Sequence, residues 1–227
     1  MQLYNPTLIL PKELWYPLPL EPFKRKILEL TQQFIYIFHS GVLHVAEGLI
    51  FMSMHIARAK LNVLTNEFPH VSNELQLRRC IQLHQEVIWF VNLLNSTSRY
   101  LILKQTLAVF LYLTLGFFQL LHQKDVVNPF LIHQFLLVII VVNYRVYFGT
   151  QCADAVTLVG ENLRFSIPWA GQSLRSSKSM CIVIQRCQKP LIISVSGIIA
   201  QYSCWYYGSF LYRTFSYFLT LKAVLGL

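Results

Sequence analysis

Arg213, Tyr217, Thr220 and Val224 recur near the C-terminus at intervals of four, three and four, which places them on one face of a helix. Polar and small groups on one face of a membrane helix suit a water-filled conduit, whereas Phe218, Leu221 and Leu225 suit lipid or protein. The competing reading is a helix–helix contact, because small and hydroxyl residues also mediate packing in membranes. Arg213 is costly in lipid and is expected at a vestibule, a polar partner or the membrane interface.

Other candidate chemistry is sparse. His39 and His44 are five apart, a poor spacing for two ligands on one helical face, and read as buried hydrogen-bonded groups. Glu47 and His55 read as interior polar contacts. Asp154 and Glu161 share a helical face, but solvation near a membrane explains them better than acid–base catalysis. The five cysteines form no CxxC pair, and neither HExxH nor GxSxG occurs. No metal, no cofactor and no enzymatic role is expected. The net charge of +9 is dispersed among apolar segments without a dense basic run, which excludes a nucleic-acid binder.

The elements that must position these residues are set by composition. Hydrophobic residues make up 55% of the chain and charged ones 13%, and mean hydropathy is +0.46, well to the apolar side of a soluble domain. The expected fold is all-α: a polytopic helical membrane protein with four membrane-spanning helices and cytoplasmic helical extensions, since no closing set of alternating strands is present. The reading along the chain is a pre-span segment at 1–33, a span at 34–61, a helical connection at 62–99, a span at 100–121, a turn at 122–129, a span at 130–150, a connection at 151–189 and a terminal span at 190–227. From Pro190 to Leu227 the apolar run is too long for one crossing, so its first part belongs in water or against protein.

Orientation follows from the basic residues. The long connections carry Arg58, Lys60, Arg78, Arg79, Arg99, Lys104, Arg164, Arg175, Lys178, Arg186 and Lys189; the other side carries Lys12, Lys24, Arg25, Lys26, Lys124 and Lys222. The excess places the connections in the cytoplasm and both termini outside, although the Lys24–Lys26 cluster argues the other way. The sequon Asn95-Ser96-Thr97 is then cytoplasmic and unmodified. Residues 1–26 are Pro-rich and contain no signal peptide. Leu75, Leu77, Ile81, Leu83, Ile88 and Val91 recur at mostly helical intervals, with Ser72 as a cap and Glu74 in the first turn. That helix is either a solvated hairpin or an assembly surface.

Several segments resemble, in order, the C-terminal part of the insect odorant receptor family, seven-span ligand-gated cation channels. Gln185-Arg-Cys-Gln-Lys-Pro-Leu191 is similar to the start of the family's divided seventh span, and Tyr212-Arg-Thr-Phe-Ser-Tyr-Phe-Leu219 to its closing aromatic motif. Cys80-Ile-Gln-Leu-His84 resembles the cytoplasmic cysteine and histidine segment. Glu47 falls at the usual acid of the fourth span, Trp169 at the tryptophan before the seventh, and Leu10-Pro11 with Trp15 and Pro17 resembles the preceding extracellular loop. Phe165 departs from the family's usual Tyr.

The resemblance implies an odorant receptor subunit gated by small volatile odorants in the plasma membrane of a sensory dendrite, paired with the shared co-receptor in a heterotetramer. It maps the narrowest part of the pore onto Thr220, Ala223 and Val224, with Tyr217 on the same face. His84, Trp169, Gln185, Gln188, Lys189 and Pro190 fall in the cytoplasmic assembly region. An odorant pocket in the outer half of the spans would draw on Ile37, Phe38, Gly41, His133, Phe135 and Leu137, for each of which helix packing is the competing role. Spans one to three would be absent, so that the chain is a gene-model fragment, a degraded gene's product or a short isoform. A gustatory-type receptor is disfavoured because Ser216-Tyr217-Phe218 lacks that group's terminal Gln-Phe, and a transporter because no repeated halves are visible.

Overall fold

The computed structural model describes residues 22–122, 129–170 and 173–225. Among them every regular element is a helix. These are α1 (Pro22–Glu67), α2 (Glu74–His122), α3 (Pro129–Asn162), α4 (Leu174–Cys187) and α5 (Cys204–Leu225), with single 3-10 turns at Phe68–His70 and Leu163–Ser166. The chain divides after Gly48 into two compact units. The described part of the first is the opening stretch of α1, which exposes Phe34, Ile35, Tyr36, Ile37 and Phe38 in succession. His39 and His44 are exposed there rather than buried, and the His44 ring bonds to the Ser40 carbonyl of its own turn.

Three stretches are long and apolar enough to cross a membrane: Lys26–His70, Glu74–Phe118 and Phe135–Ser166. At about 1.5 Å per residue, the 49 residues of α2 measure roughly 70 Å against a hydrocarbon core of about 30 Å. Only about 20 residues can lie in lipid. The half of α2 that carries Glu74, Arg78, Arg79 and Glu86 therefore projects beyond it, and the run from Tyr100 onward supplies the apolar part. The projecting helix and the span, separate in the sequence reading, form one continuous element. Helix α5 has 22 residues, about 33 Å, and contains Arg213 and Lys222.

Local chemistry sets the ends. Asn73, not Ser72, caps α2: its Oδ1 accepts from the Gln76 amide at 2.8 Å, and Gln76 Oε1 in return accepts from the Ser72 amide and hydroxyl at 3.0 and 3.1 Å. Glu74 receives Arg78 Nη2 at 2.9 Å one turn on. Ser173 Oγ accepts from the Ser176 amide to start α4.

Burial along the first two helices follows a strict rhythm on both sides of the turn at 68–73. Met54, Ala57, Leu61, Leu64 and Phe68 are buried on one side; Leu77, Cys80, His84, Val87, Val91, Leu94 and Ser98 on the other. Steps alternate three and four, the spacing of a coiled-coil seam. The apolar residues of both stripes belong to one continuous core with Val156, Met180, Val183 and Cys187.

The terminal apolar run is not one helix. Residues 190–203 are irregular and contain a tight turn in which the amide of Ile198 donates to the Val195 carbonyl at 3.0 Å, flanked by paired bonds between Val195 and Ile199 at 2.9 Å. Gly197 stands at φ +80°, where L side chains are strained. Pro190 withholds a backbone donor at the start of the segment, and Gly197 reverses it, so the helix resumes only at Cys204.

Candidate functional site

Helix α5 is seated by polar side chains along one stripe of α3. Asn143, Val146, Thr150, Asp154 and Thr157 follow one another at three- and four-residue steps, and each meets the 191–207 segment. The Tyr207 hydroxyl bonds to Asn143 Oδ1, and the Tyr202 hydroxyl donates to the Val146 carbonyl at 3.3 Å. Cys204 Sγ lies 3.5 Å from Thr150 Oγ1, and the Cys204 amide donates to Asp154 Oδ2 at 2.8 Å. Thr157 Oγ1 donates to the Leu191 carbonyl at 2.9 Å. The Asp154 carboxylate thus takes an amide at the N-terminus of α5, where the helix dipole also favours negative charge.

A second clasp comes from α2. Asn95 Nδ2 donates to the Ile192 carbonyl at 2.8 Å, and Asn95 Oδ1 accepts from the Ser194 amide at 3.0 Å. Asn95 therefore pairs one edge of Ile192–Ser194, while on the other edge the Ile193 carbonyl accepts from the Tyr202 amide at 2.7 Å. Farther along, Phe117 of α2 meets Phe218 of α5 at a 5.1 Å ring separation and Phe135 of α3 at 6.1 Å.

With Tyr207, Thr214 and Phe218 buried, α5 turns another face outward. Arg213, Tyr217, Thr220, Ala223 and Val224 are all exposed, Val224 at 77% and Tyr217 at 62%. Thr220 Oγ1 donates to the Ser216 carbonyl at 3.0 Å, which satisfies its hydroxyl within the helix. The four residues spaced four, three and four thus share one exposed face, flanked by Tyr212, Phe215, Leu219 and Leu221, which are exposed as well.

The residues expected to serve assembly divide. Gln185 and Gln188 line a shallow groove of about 270 Å³ with Trp169, Cys181 and Ile184. Lys189 and Pro190 follow α4 and are exposed, with the Lys189 amide bonded to the Arg186 carbonyl. His84 lies apart from that groove. It is buried and sits with Nε2 3.6 Å from Cys187 Sγ, joining the projecting half of α2 to the end of α4. Burial, helped by the nearby Arg186 charge, lowers the His84 pKa to about 4; burial raises Cys187 to about 11 against the pull of Arg186 and Arg164. The pair is a neutral imidazole beside a neutral thiol.

Of the expected pocket residues, Ile37, Phe38 and Gly41 lie in the first unit, while His133, Phe135 and Leu137 lie in the second. His133 and Leu137 are exposed, but the Phe135 ring covers Gly116 so closely that a methyl group there would fall 1.6 Å from its Cε2. Phe135 here makes a packing contact between α2 and α3. Sequence reading missed the α3 stripe and Asn95; the visible signal was Asn143, Thr150, Asp154 and Thr157 recurring at helical spacing across an apolar helix.

The profile of the family described as 7tm Odorant receptor matches residues 29–202, well over half of the chain. The chain belongs to this family. No curated protein sequence matches it. Among solved structures, the insect olfactory receptor OR5 from Machilis hrabei in complex with eugenol superposes with a TM-score of 0.78 at 17% identity, over 93% of this chain and 56% of that one. The likeness establishes a shared helical membrane fold, and the chain spans little more than half the length of that receptor.

Proposed function

We propose that this odorant receptor chain is a subunit of a ligand-gated, non-selective cation channel, with the outward face of α5 lining the ion path. What supports the reading most is the division of α5: one face held by α2 and α3, and the Arg213–Tyr217–Thr220–Val224 face left without partners in a single chain. A helix that anchors one side and presents hydroxyl and small groups on the other suits symmetric assembly around a central conduit. Val224 then forms a hydrophobic constriction, with Thr220 and Ala223 beside it. Arg213 lies about two turns from Thr220, toward a wider vestibule.

The stimulus is a small volatile odorant of the kind the OR5 structure holds, taken up in the outer half of the spans. The partner is the family's co-receptor in a heterotetramer, and the groove of Trp169, Gln185 and Gln188, together with Lys189, Pro190 and, apart from the groove, the buried His84, contributes to assembly. The spans are 34–61, 100–121 and 130–150 with α5, both termini face outward, and the receptor resides in the plasma membrane of sensory neurons.

The test places residues 22–227 in the corresponding part of an odorant-responsive receptor, expressed with the co-receptor. Odorant-evoked cation current is expected. Its loss at normal surface levels would contradict the proposal.

A further inference from the structure

Between α1 and α3 lies an open cavity of about 660 Å³, bordered by His55 and Arg58 from α1, by Phe148, Gln151, Cys152, Asp154, Leu158 and Glu161 from α3, and by Gln201. The two helices run side by side there: Phe51 meets Phe148 edge-on at 5.4 Å, and His55 Nε2 lies 3.4 Å from Cys152 Sγ one turn later. Both change character at the same level. Above it the exposed residues include Met52 on α1 and Ile140, Val141, Tyr144 and Phe148 on α3; below it the exposed Arg58 and Gln151 and the half-buried Glu161 join the apolar Ile56 and Leu158. A cavity at that level opens where hydrocarbon gives way to headgroups.

Its charges are of both signs and are not used up. Arg58 and Glu161 make no hydrogen bond or ion pair among the described residues, and Asp154 uses Oδ2 for the Cys204 amide. Phe148 supplies an aromatic wall and Leu158, 59% exposed, an apolar floor. A cation donor, two carboxylates and an aromatic ring lining one cavity suit a molecule that carries both a phosphate and an ammonium, joined to apolar chains.

We propose that this cavity binds the headgroup of a zwitterionic membrane phospholipid, with the phosphate at Arg58 and His55 and the ammonium at Glu161 and Asp154. The acyl chains continue along the exposed apolar stripe of α1 and α3. The inference rests on the membrane placement proposed above, but not on channel activity. Because Asp154 also holds the first amide of α5, the lipid site and the seat of the terminal helix share one carboxylate.

The test uses the full chain, purified in detergent and incubated with palmitoyl-oleoyl-phosphatidylethanolamine, with bound lipid counted by native mass spectrometry. The unaltered chain is expected to retain the lipid. Arg58→Gln and Glu161→Gln should each weaken retention about tenfold, the loss of one charge-assisted contact, while Arg58→Lys keeps most of it. Diacylglycerol, which lacks the headgroup, should not be retained. Retention unchanged in both Gln variants, at unaltered helix content by circular dichroism, would overturn the site. So would equal competition by soluble phosphoethanolamine, which would mark a water-borne ligand, or absence of bound lipid in the unaltered chain. Recovery of the chain in the alkali-resistant membrane fraction, scored in parallel, separates failure of this site from failure of the membrane placement.

Discussion

Asn95 shows how a single side chain can be misread from its neighbours in sequence. Its Asn-Ser-Thr context marks a glycosylation acceptor, yet both ends of its amide are committed to the backbone of Ile192 and Ser194. Asn95→Ala should therefore destabilise the chain by about 1–3 kcal/mol, the cost of leaving two polar backbone groups unmatched, read as a lowered unfolding midpoint in detergent. Asn95→Asp retains the acceptor and loses the donor, and should fall between. Equal stability in all three would remove the clasp.

His84 carries a pH dependence of definite sign. Its folded pKa of about 4 lies below the ordinary 6.5, so the unfolded chain binds the proton first. The contribution is complete above pH 6.5 and is lost as pH falls from 6.5 toward 4. At most it amounts to about 3 kcal/mol. Thermal unfolding followed from pH 7 to 4.5 should show a steeper decline for the native chain than for His84→Phe. The histidine's presence was visible in the sequence, but its burial was not. Leu75, Ile81 and Leu83 are strongly apolar, yet the buried stripe runs through Leu77, Cys80, His84 and Val87. Leu75 is 78% exposed, because position in the three-and-four rhythm outweighs side-chain hydrophobicity.

At the level of elements, length and hydropathy were enough to predict an all-helical membrane fold, and the polar cap sequence at 72–76 placed the start of α2 within one residue or so. What composition could not convey was the break at 190–203. Its residues are as apolar as those of the helix that follows, and the information lies in Pro190, Gly197 and partners on other helices. Gly197→Ala keeps the space, since nothing lies within 4 Å of an added methyl, but it forces an L residue to φ +80°. A loss of roughly 1 kcal/mol is expected from the dihedral alone. Gly116→Ala fails for the opposite reason, by displacing the Phe135 ring. About 1–3 kcal/mol is expected, with Phe135→Leu in the same chain recovering part of it. Additive rather than compensating effects would show that the two residues do not share one contact.

For the whole molecule, the orientation argued from the Lys and Arg distribution needs a reporter other than Asn95, whose amide is committed to the backbone of Ile192 and Ser194. Cys181 serves: it is exposed on α4, while Cys80, Cys152 and Cys187 are buried. With α4 in the cytoplasm, a membrane-impermeant maleimide should label Cys181 only after permeabilisation, and labelling lost in Cys181→Ser identifies the site. Labelling of intact cells would invert the topology. That Arg213, Tyr217, Thr220 and Val224 share one outward face of α5 was legible from spacing alone, and all four are exposed. The α3 stripe that seats them became legible only once the fold brought it against Tyr202, Cys204 and Tyr207.

The conduction path is tested most directly by whole-cell current from receptors carrying Val224→Ser, Thr220→Ala or Leu221→Ala, assembled with the co-receptor in the chimaeric receptor described above. If the α5 face lines the pore, Val224→Ser eases wetting of the constriction and raises basal current severalfold. Thr220→Ala shifts ion selectivity or conductance, and Leu221→Ala, toward the packed side, changes surface expression instead. Unchanged basal current and selectivity for Val224→Ser and Thr220→Ala, at normal surface levels, would contradict the account and leave this face as one more packing surface.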